Sequence, residues 1–463
     1  MSLAAFAKQR NLRTLAFFGI LGLLSACNYQ NTTTTEPVHE ADTLVRSDTT
    51  RNIQDFGLTL PVLDALFLEE DFQETLTSQL QLTSEQISKL KVAASASVAN
   101  LSEDGTNYLG SARAAKQQSE EQIREILGPD KADQLFRLVS QRYASGDIDG
   151  LFPTTPNAVP TDTRIVVNAP AFRMDVFQEG KLLKSYRIGI GYPEFPLPTG
   201  MRRAESIIFN PTWTPPDEPW VKGKFQPGKK VAAGSELNPL GLIKIPIGSP
   251  SLIHGGKPAT KLGDFASHGC VGLTNDQVQD LATVLGQLSG TPITAERIQD
   301  LEKQKKKTEA VKLGQPVLVE LRYETIVAEN GKLYIHRDVY ERGTNTMKDA
   351  IRVLNVYGVQ YESLSAQEKA AVTNALSEMN LDSQGNAIAE NVSSKDTTSG
   401  AQVAVDSKNG VAASKQEGAK KGKVTRSVEG QKELVIPIAA LQGKGYPAAA
   451  NLNTGSSSTR FRN

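Results

Sequence analysis

Cysteine is nearly absent from this chain: 463 residues hold two, Cys27 and Cys270. No multi-bridge disulfide framework can exist, and any sulphur chemistry falls on one of these two side chains. An excess of either charge is missing as well. Lys plus Arg and Asp plus Glu each total 51, and this balance removes the electrostatic argument for a nucleic-acid partner. The apolar run near the N-terminus, Leu15 to Leu24, is too short to cross a bilayer core of about 30 Å as a helix. No long internal repeat is present either. What remains has room for two or three domains, and its 39% apolar residues suffice for a sizeable core in at least one of them.

The first residues read as a targeting segment. Lys8, Arg10 and Arg13 precede the apolar run, and Leu24-Ser25-Ala26-Cys27 follows it. That tetrad resembles the bacterial lipoprotein signal, in which the cysteine becomes the lipidated first residue; the alternative is an ordinary secretory leader in which Cys27 is incidental. Both readings export the chain. The resemblance implies lipidation of Cys27 and a stable membrane anchor made of several acyl chains. Asn28 in place of Asp after that cysteine is compatible with outer-membrane sorting. With Cys27 lipidated, Cys270 has no intramolecular partner in an oxidising compartment, which favours a catalytic thiol.

After the leader (1–27) comes a tether, residues 28–54, rich in Thr, Asn and Asp and without apolar periodicity. Residues 55–145 read as a small all-α domain. Thr83-Ser84-Glu85-Gln86 fits a capping box, with Ile87, Leu90, Ala94, Val98 and Leu101 at helical spacing behind it. Gly128-Pro129 stops one helix, and Asp130 is expected to cap the next. Leu82 to Gln86 also resembles the LTxxQ motif of Spy/CpxP-type periplasmic proteins, although an unrelated, well-capped helical hairpin explains it equally. A Pro-rich linker spans 146–162. From 163 the pattern changes to strands, at Arg164–Asn168, Met174–Phe177, Tyr186–Ile190 and Val317–Leu321, with an amphipathic helix over Asp276–Leu288. Dense Pro and Gly up to Gly248 suggest long shaped loops. Lys305 to Lys307 reads as a solvated helix face. Residues 323–385 form an extension with a hairpin at Asn330-Gly331 and a helical pair, His336 being a structural strand residue. Residues 386–463 read as a low-complexity tail, apolar only at Leu434 to Leu441.

Ser267-His268-Gly269-Cys270-Val271-Gly272-Leu273 concentrates the chemistry. A cysteine attacks as its thiolate and needs a base or a positive neighbour; His268 lies two residues away, and His254 fourteen residues before His268. Spacing alone does not say which histidine meets the sulphur. Gly269, lacking a Cβ, lets backbone N–H groups approach a developing oxyanion. A structural zinc site from His254, His268, Cys270 and Asp264 is the competing reading of the same residues.

These residues, with three further blocks, resemble an L,D-transpeptidase, the YkuD-type catalytic domain. The blocks are His254-Gly255 with the Ser-His-Gly-Cys-aliphatic motif, Asn210-Pro211-Thr212-Trp213-Thr214-Pro215-Pro216, Pro198-Thr199-Gly200, and Asn238-Pro239-Leu240-Gly241, in family order between 163 and 322. The departure is Gly272, where the family commonly has Arg or Asn. The resemblance implies an α+β fold: a β-rich catalytic domain of sandwich-like sheets with short helices, preceded here by the all-α segment. It implies Cys270 as nucleophile, His254 as proton donor and acceptor, and His268 as an assisting group. The Gly255 carbonyl would orient His254, the backbone at Gly269 and Cys270 would hold the oxyanion, and Ser267, Gly272, Trp213 and Lys257 would border the substrate. Lys257 or Lys261 would supply charge to the cleft in place of the missing Arg or Asn.

The implied reaction is acyl transfer from a peptidoglycan tetrapeptide stem, through a thioester on Cys270, to an amine. That amine belongs to another stem, giving a 3→3 cross-link, or to a wall-attached lipoprotein. Neither metal nor organic cofactor is implied, and carbapenem-type β-lactams are expected to acylate Cys270. The expected location is the periplasmic face of the envelope, with the lipid anchor in a membrane. Two alternatives stand beside this: a cysteine hydrolase of the same fold, acting as carboxypeptidase or endopeptidase, and a non-catalytic, lipid-anchored wall-binding protein.

Overall fold

Helices begin where a side chain can satisfy an amide that has no partner inside the helix. Thr59 accepts from Val62 N to start α1, Leu60–Phe67. After α2, Phe72–Leu80, Thr83 Oγ1 accepts from Gln86 N at 3.2 Å and Gln86 Oε1 from Thr83 N at 3.1 Å, closing a capping box on α3, Ser84–Ala99. Ser111 starts α4, Ala112–Leu127, and Gly128 ends it. In α5, Pro129–Ser145, proline occupies the first position and Asp130 sits inside the first turn, so Asp130 is not the cap expected of it. Leu63, Leu66, Phe72, Leu76, Leu90, Ile123 and Leu135 are fully buried and form this segment's own core.

In this computed structural model the described residues are 58–69, 71–99, 111–145, 153–215, 229–248, 250–383, 385, 387–388 and 427–453. The leader, Cys27, the whole tether and most of the tail lie outside them. The described residues fall in one compact unit, 46–463. Among them no helix is long and apolar enough to cross a membrane.

The fold is α+β. Its main sheet has eight strands in the order β3-β2-β1-β10-β5-β6-β7-β9. These are β1 Arg164–Asn168, β2 Arg173–Gln178, β3 Lys181–Arg187, β5 Gly200–Phe209, β6 Ile243–Pro246, β7 Leu252–His254, β9 Val271–Gly272 and β10 Glu309–Arg322. A two-stranded parallel pair, β4 Ile190–Gly191 and β8 Phe265–Ser267, shares its core. α6, Asn275–Leu288, buries Val278, Leu281 and Leu285 there, and α7, Ala295–Lys303, adds Ile298 and Leu301.

Two expectations need correction in this region. The stretch read only as sheet with long shaped loops contains a strand that was not named, β5, on which β10 pairs from Gly200 to Phe209. Its charged residues hid it: Arg202 is only 3% exposed yet reads as a surface residue in sequence. Lys305 to Lys307 are exposed but follow the end of α7, so they lie on a turn and not on a helix face.

Beyond the main sheet, β11 Ile326–Glu329 and β12 Lys332–His336 form a hairpin through Asn330, followed by α8 Met347–Val356 and α9 Ala366–Met379. The segment expected to be low-complexity tail returns as β13, Glu433–Pro437, which pairs with β12. It continues to Asn453, whose amide donates to Ser185 O at 2.9 Å and whose carbonyl accepts from Arg187 N at 3.1 Å, on the outer edge of β3. Apolar Ile436, Ile438 and Leu441 bury against α8 and α9 and fix this return.

Candidate active site

Three short strands at one end of the main sheet build the site. Along β6, β7 and β9 the residues alternate between faces. Ile243, Ile245, Ile253 and Val271 point into the core, and Lys244, His254 and Gly272 take the opposite face. Register sets these three side by side, since Lys244 pairs with His254 across the antiparallel ladder and His254 with Gly272 across the parallel one. Cys270 immediately precedes β9 and lies near enough to Lys244 for their charges to interact.

His254 is 3% exposed, and its Nδ1 lies 2.7 Å from the Gly255 carbonyl. This contact places the proton on Nδ1 and leaves Nε2 as the acceptor. Burial, and next the charge of Lys257, push the His254 pKa down to about 3 against the pull of the Gly255 and Leu240 backbone. The ring is neutral at physiological pH.

The loop after His254 is pinned from below. Asn275 Oδ1 accepts from Gly256 N at 3.0 Å and from Leu242 N at 3.1 Å. Gly241, at φ +67, lies so close to Gly256 that a Cβ there would strike its amide. The Asn-Pro-Leu-Gly block therefore seats the loop that holds His254. Asn210 and Asn238 act similarly: Asn210 Nδ2 donates to Leu301 O at 2.8 Å and Asn238 Nδ2 to Pro211 O at 2.7 Å.

Cys270 is a free, half-buried thiol. Burial pushes its pKa above the usual thiol range, outweighing the Leu252 backbone, Lys257 and Lys244, which pull it down. Ser267 Oγ accepts from Cys270 N at 2.9 Å and donates to Cys270 O at 2.6 Å. Ser267 is engaged with the cysteine backbone, where it clamps the turn. The Cys270 amide is already donated to Ser267, whereas the Gly269 amide donates to no other described residue. Gly269 has φ +89, and its carbonyl accepts from Ser251 Oγ at 3.2 Å.

His268 packs edge-on against Phe195, ring centroids 4.8 Å apart, and against Tyr192 at 5.2 Å. Gly272 exchanges two backbone hydrogen bonds with Gly189, at 2.8 and 2.9 Å. A Cβ at Gly272 would lie 2.8 Å from Lys257 Cγ, so the Lys257 stem fills that position. Trp213 stands apart from this row, tied to Val231 by reciprocal backbone bonds of 3.2 and 2.7 Å. Asp264 faces elsewhere: its Oδ1 accepts from Phe265 N and Val428 N, and Oδ2 lies 3.6 Å from Lys432 Nζ. Among the described residues no three His, Cys, Asp or Glu side chains gather as metal ligands. Sequence reasoning missed Lys244, Tyr192, Phe195 and Ser251, none of which stands in a recognisable motif.

Residues 162–319 match the YkuD family, the L,D-transpeptidase catalytic domain. This YkuD-type segment covers about a third of the chain. Among solved structures, the chain is similar to the catalytic domain of an E. faecium L,D-transpeptidase. The identity is 18%, 35% of this chain and 99% of that one are covered, and the TM-score is 0.22. It is also similar to an L,D-transpeptidase from Mycobacterium smegmatis (16% identity, 35% and 58% covered, TM-score 0.21). L,D-transpeptidase 3 from Mycobacterium tuberculosis gives 15% identity, 35% and 60% covered, and TM-score 0.21. The chain thus spans less than two thirds of the two mycobacterial proteins. No curated protein matches it.

Proposed function

We propose that this chain is a cysteine L,D-transpeptidase acting on peptidoglycan stem peptides. The observation that supports the reading is that His254 on β7 pairs with Gly272 on β9, two residues after Cys270, inside the YkuD-type segment, with His254 Nδ1 held by Gly255. Cys270 attacks the carbonyl of the third stem residue. The proton from Sγ passes to His254 Nε2 and on to the nitrogen of the leaving D-alanine, as the C–S bond forms and the C–N bond breaks. Gly269 N–H stabilises the oxyanion, and the His268 ring, held by Tyr192 and Phe195, lines the site. An amine, from a second stem or from a lysine of a wall-attached lipoprotein, then resolves the thioester.

Export and lipid anchoring at Cys27 belong to the same proposal and rest on the leader sequence. The occupation of the Gly272 position by Lys257 favours one second reading, a hydrolase of the same fold with water as acceptor.

The test is mass spectrometry of disaccharide-tetrapeptide incubated with the full chain, wild type beside Cys270→Ala. The proposal expects loss of alanine with formation of cross-linked dimer, reduced at least about a thousandfold by the substitution. Alanine loss without dimer on any amine acceptor supports the hydrolase. No turnover by folded wild-type protein, on stems or on cross-linked wall, overturns both.

A further inference from the structure

The site holds more positive charge than a Cys-His pair requires. Lys244 stands directly beside His254 in the β6–β7 register. On the other flank Gly272 provides no side chain, and the stem of Lys257 lies in the vacated place, its own backbone tied by Lys257 N to Leu273 O at 3.0 Å. The row on this face therefore reads lysine, histidine, lysine, with Cys270 beside it. Both lysines are half-buried, and neither has a carboxylate partner among the described residues. Burial weakens the ammonium form of each, and an anion at Cys270 restores it. The charged or titratable groups acting on the sulphur are Lys257 and Lys244; Lys261 acts on Lys257, and both row lysines act on His254.

Two ammonium groups without counter-ions among the described residues, beside a thiol, are arranged for an anion on that sulphur. They also oppose a lasting charge on the imidazole between them. We propose that Lys244 and Lys257, and not His254, carry the positive charge that stabilises the Cys270 thiolate, and that residue 272 is glycine because the Lys257 stem needs its space. His254 keeps its role as proton carrier, holding the proton only in transit. In the free enzyme the S–H bond breaks with the electron pair left on sulphur and the proton passed to solvent. In the reaction, the thiol that still carries its proton gives it to His254 Nε2, which hands it to the leaving amine as the C–S bond forms and the C–N bond breaks. The inference deepens the thiol-transferase reading, but its test needs no peptidoglycan and so stands or falls separately.

The experiment is the pH dependence of Cys270 alkylation by iodoacetamide in the full chain, purified in detergent. It compares wild type with Lys244→Met, Lys257→Met, the double variant, Lys244→Arg and His254→Asn, each checked for an intact thermal transition. Methionine keeps the stem and removes the charge. Each lysine-to-methionine change is expected to raise the midpoint of the titration, and alkylation at pH 7 slows about tenfold for every whole pH step that the midpoint climbs. Lys244→Arg is expected to keep the wild-type profile, and His254→Asn to leave the midpoint in place. A double methionine variant superposing on wild type overturns the proposal. So does a His254→Asn profile displaced as far as the double variant, because the imidazole would then be the counter-charge.

Discussion

Gly269 takes φ +89, where an L side chain is strained, yet a Cβ there would meet nothing nearer than the Phe195 carbonyl at 3.8 Å. Gly269→Ala should therefore cost about 1 kcal/mol of backbone strain without a clash. It should reduce turnover by much more than that loss implies, because the amide proposed to hold the oxyanion turns; a thermal midpoint beside the rate on tetrapeptide separates the two effects. His254 gives a second expectation at this scale. Its pKa is about 3 in the folded chain and about 6.5 when unfolded. Between those values the unfolded state binds a proton that the native state refuses, so stability rises with pH across that window and is lost as pH falls through it. Denaturant titrations should show a loss on the order of a few kcal/mol from pH 7 to pH 4, shallower in His254→Asn. A slope unchanged by the substitution would place the acid sensitivity elsewhere. Cys270 and His254 were legible in the sequence because their residue types are rare and stand beside glycine. Lys244 was not: it is one of 51 Lys and Arg residues, and only the strand register gives it a neighbour.

Elements were legible where the signal is local. Thr83 and Thr274 both head capping boxes, and apolar spacing marks the helices behind them. β5 was not legible, because its two faces are set by non-local pairing with β10 and β6, and its buried Arg202 breaks the apolar alternation. Nor does sequence reveal what the helical segment touches. Thr59 Oγ1 donates to Glu194 O at 2.7 Å, Val98 packs on Phe195, and Glu341 accepts from Ser111 Oγ at 2.8 Å and from Ala112 N at 2.9 Å. The helices thus brace the loop after β4 whose Phe195 ring backs His268. Removing part of that brace should act on His268 and leave the thiol alone. Val98→Ala, which empties a fully buried site, is expected to lower stability by about 1–2 kcal/mol. Phe195→Ala is expected to reduce turnover about tenfold or more with the alkylation profile of Cys270 unchanged. If the Phe195→Ala profile moves instead, the loop acts on the sulphur directly and the brace is mis-assigned.

At the scale of the whole molecule, chain order and spatial order diverge most at the C-terminal end. Residues 427–453 follow a long stretch dominated by Ser, Lys, Gly, Ala and Thr, so composition placed them in a tail apart from Leu434 to Leu441, yet they bind four distant parts of the fold. Val428 N donates to Asp264 Oδ1 at 2.7 Å, just before the cysteine motif. Arg173 Nη2 on β2 donates to Pro447 O at 2.9 Å. Gln277 Nε2, in the capping box of α6, donates to Asn453 O at 2.7 Å, and Ser185 N on β3 donates to Ala450 O at 2.9 Å. The last of these covers the open edge of the eight-stranded sheet, since β3 has β2 on one side only. An uncovered edge strand offers unpaired N–H and C=O groups to another copy. Ending the chain at residue 426 should therefore do two things at once. The thermal midpoint should fall by at least about 5 °C, because β12 loses β13 and α8 and α9 lose Ile436, Ile438 and Leu441 from their core. The shortened protein should also self-associate in light scattering at concentrations where the intact chain does not. A lowered midpoint without association would confine the role of the segment to packing. An unchanged midpoint in a monomeric product would mean that the main sheet and its site hold together without the returning end of the chain.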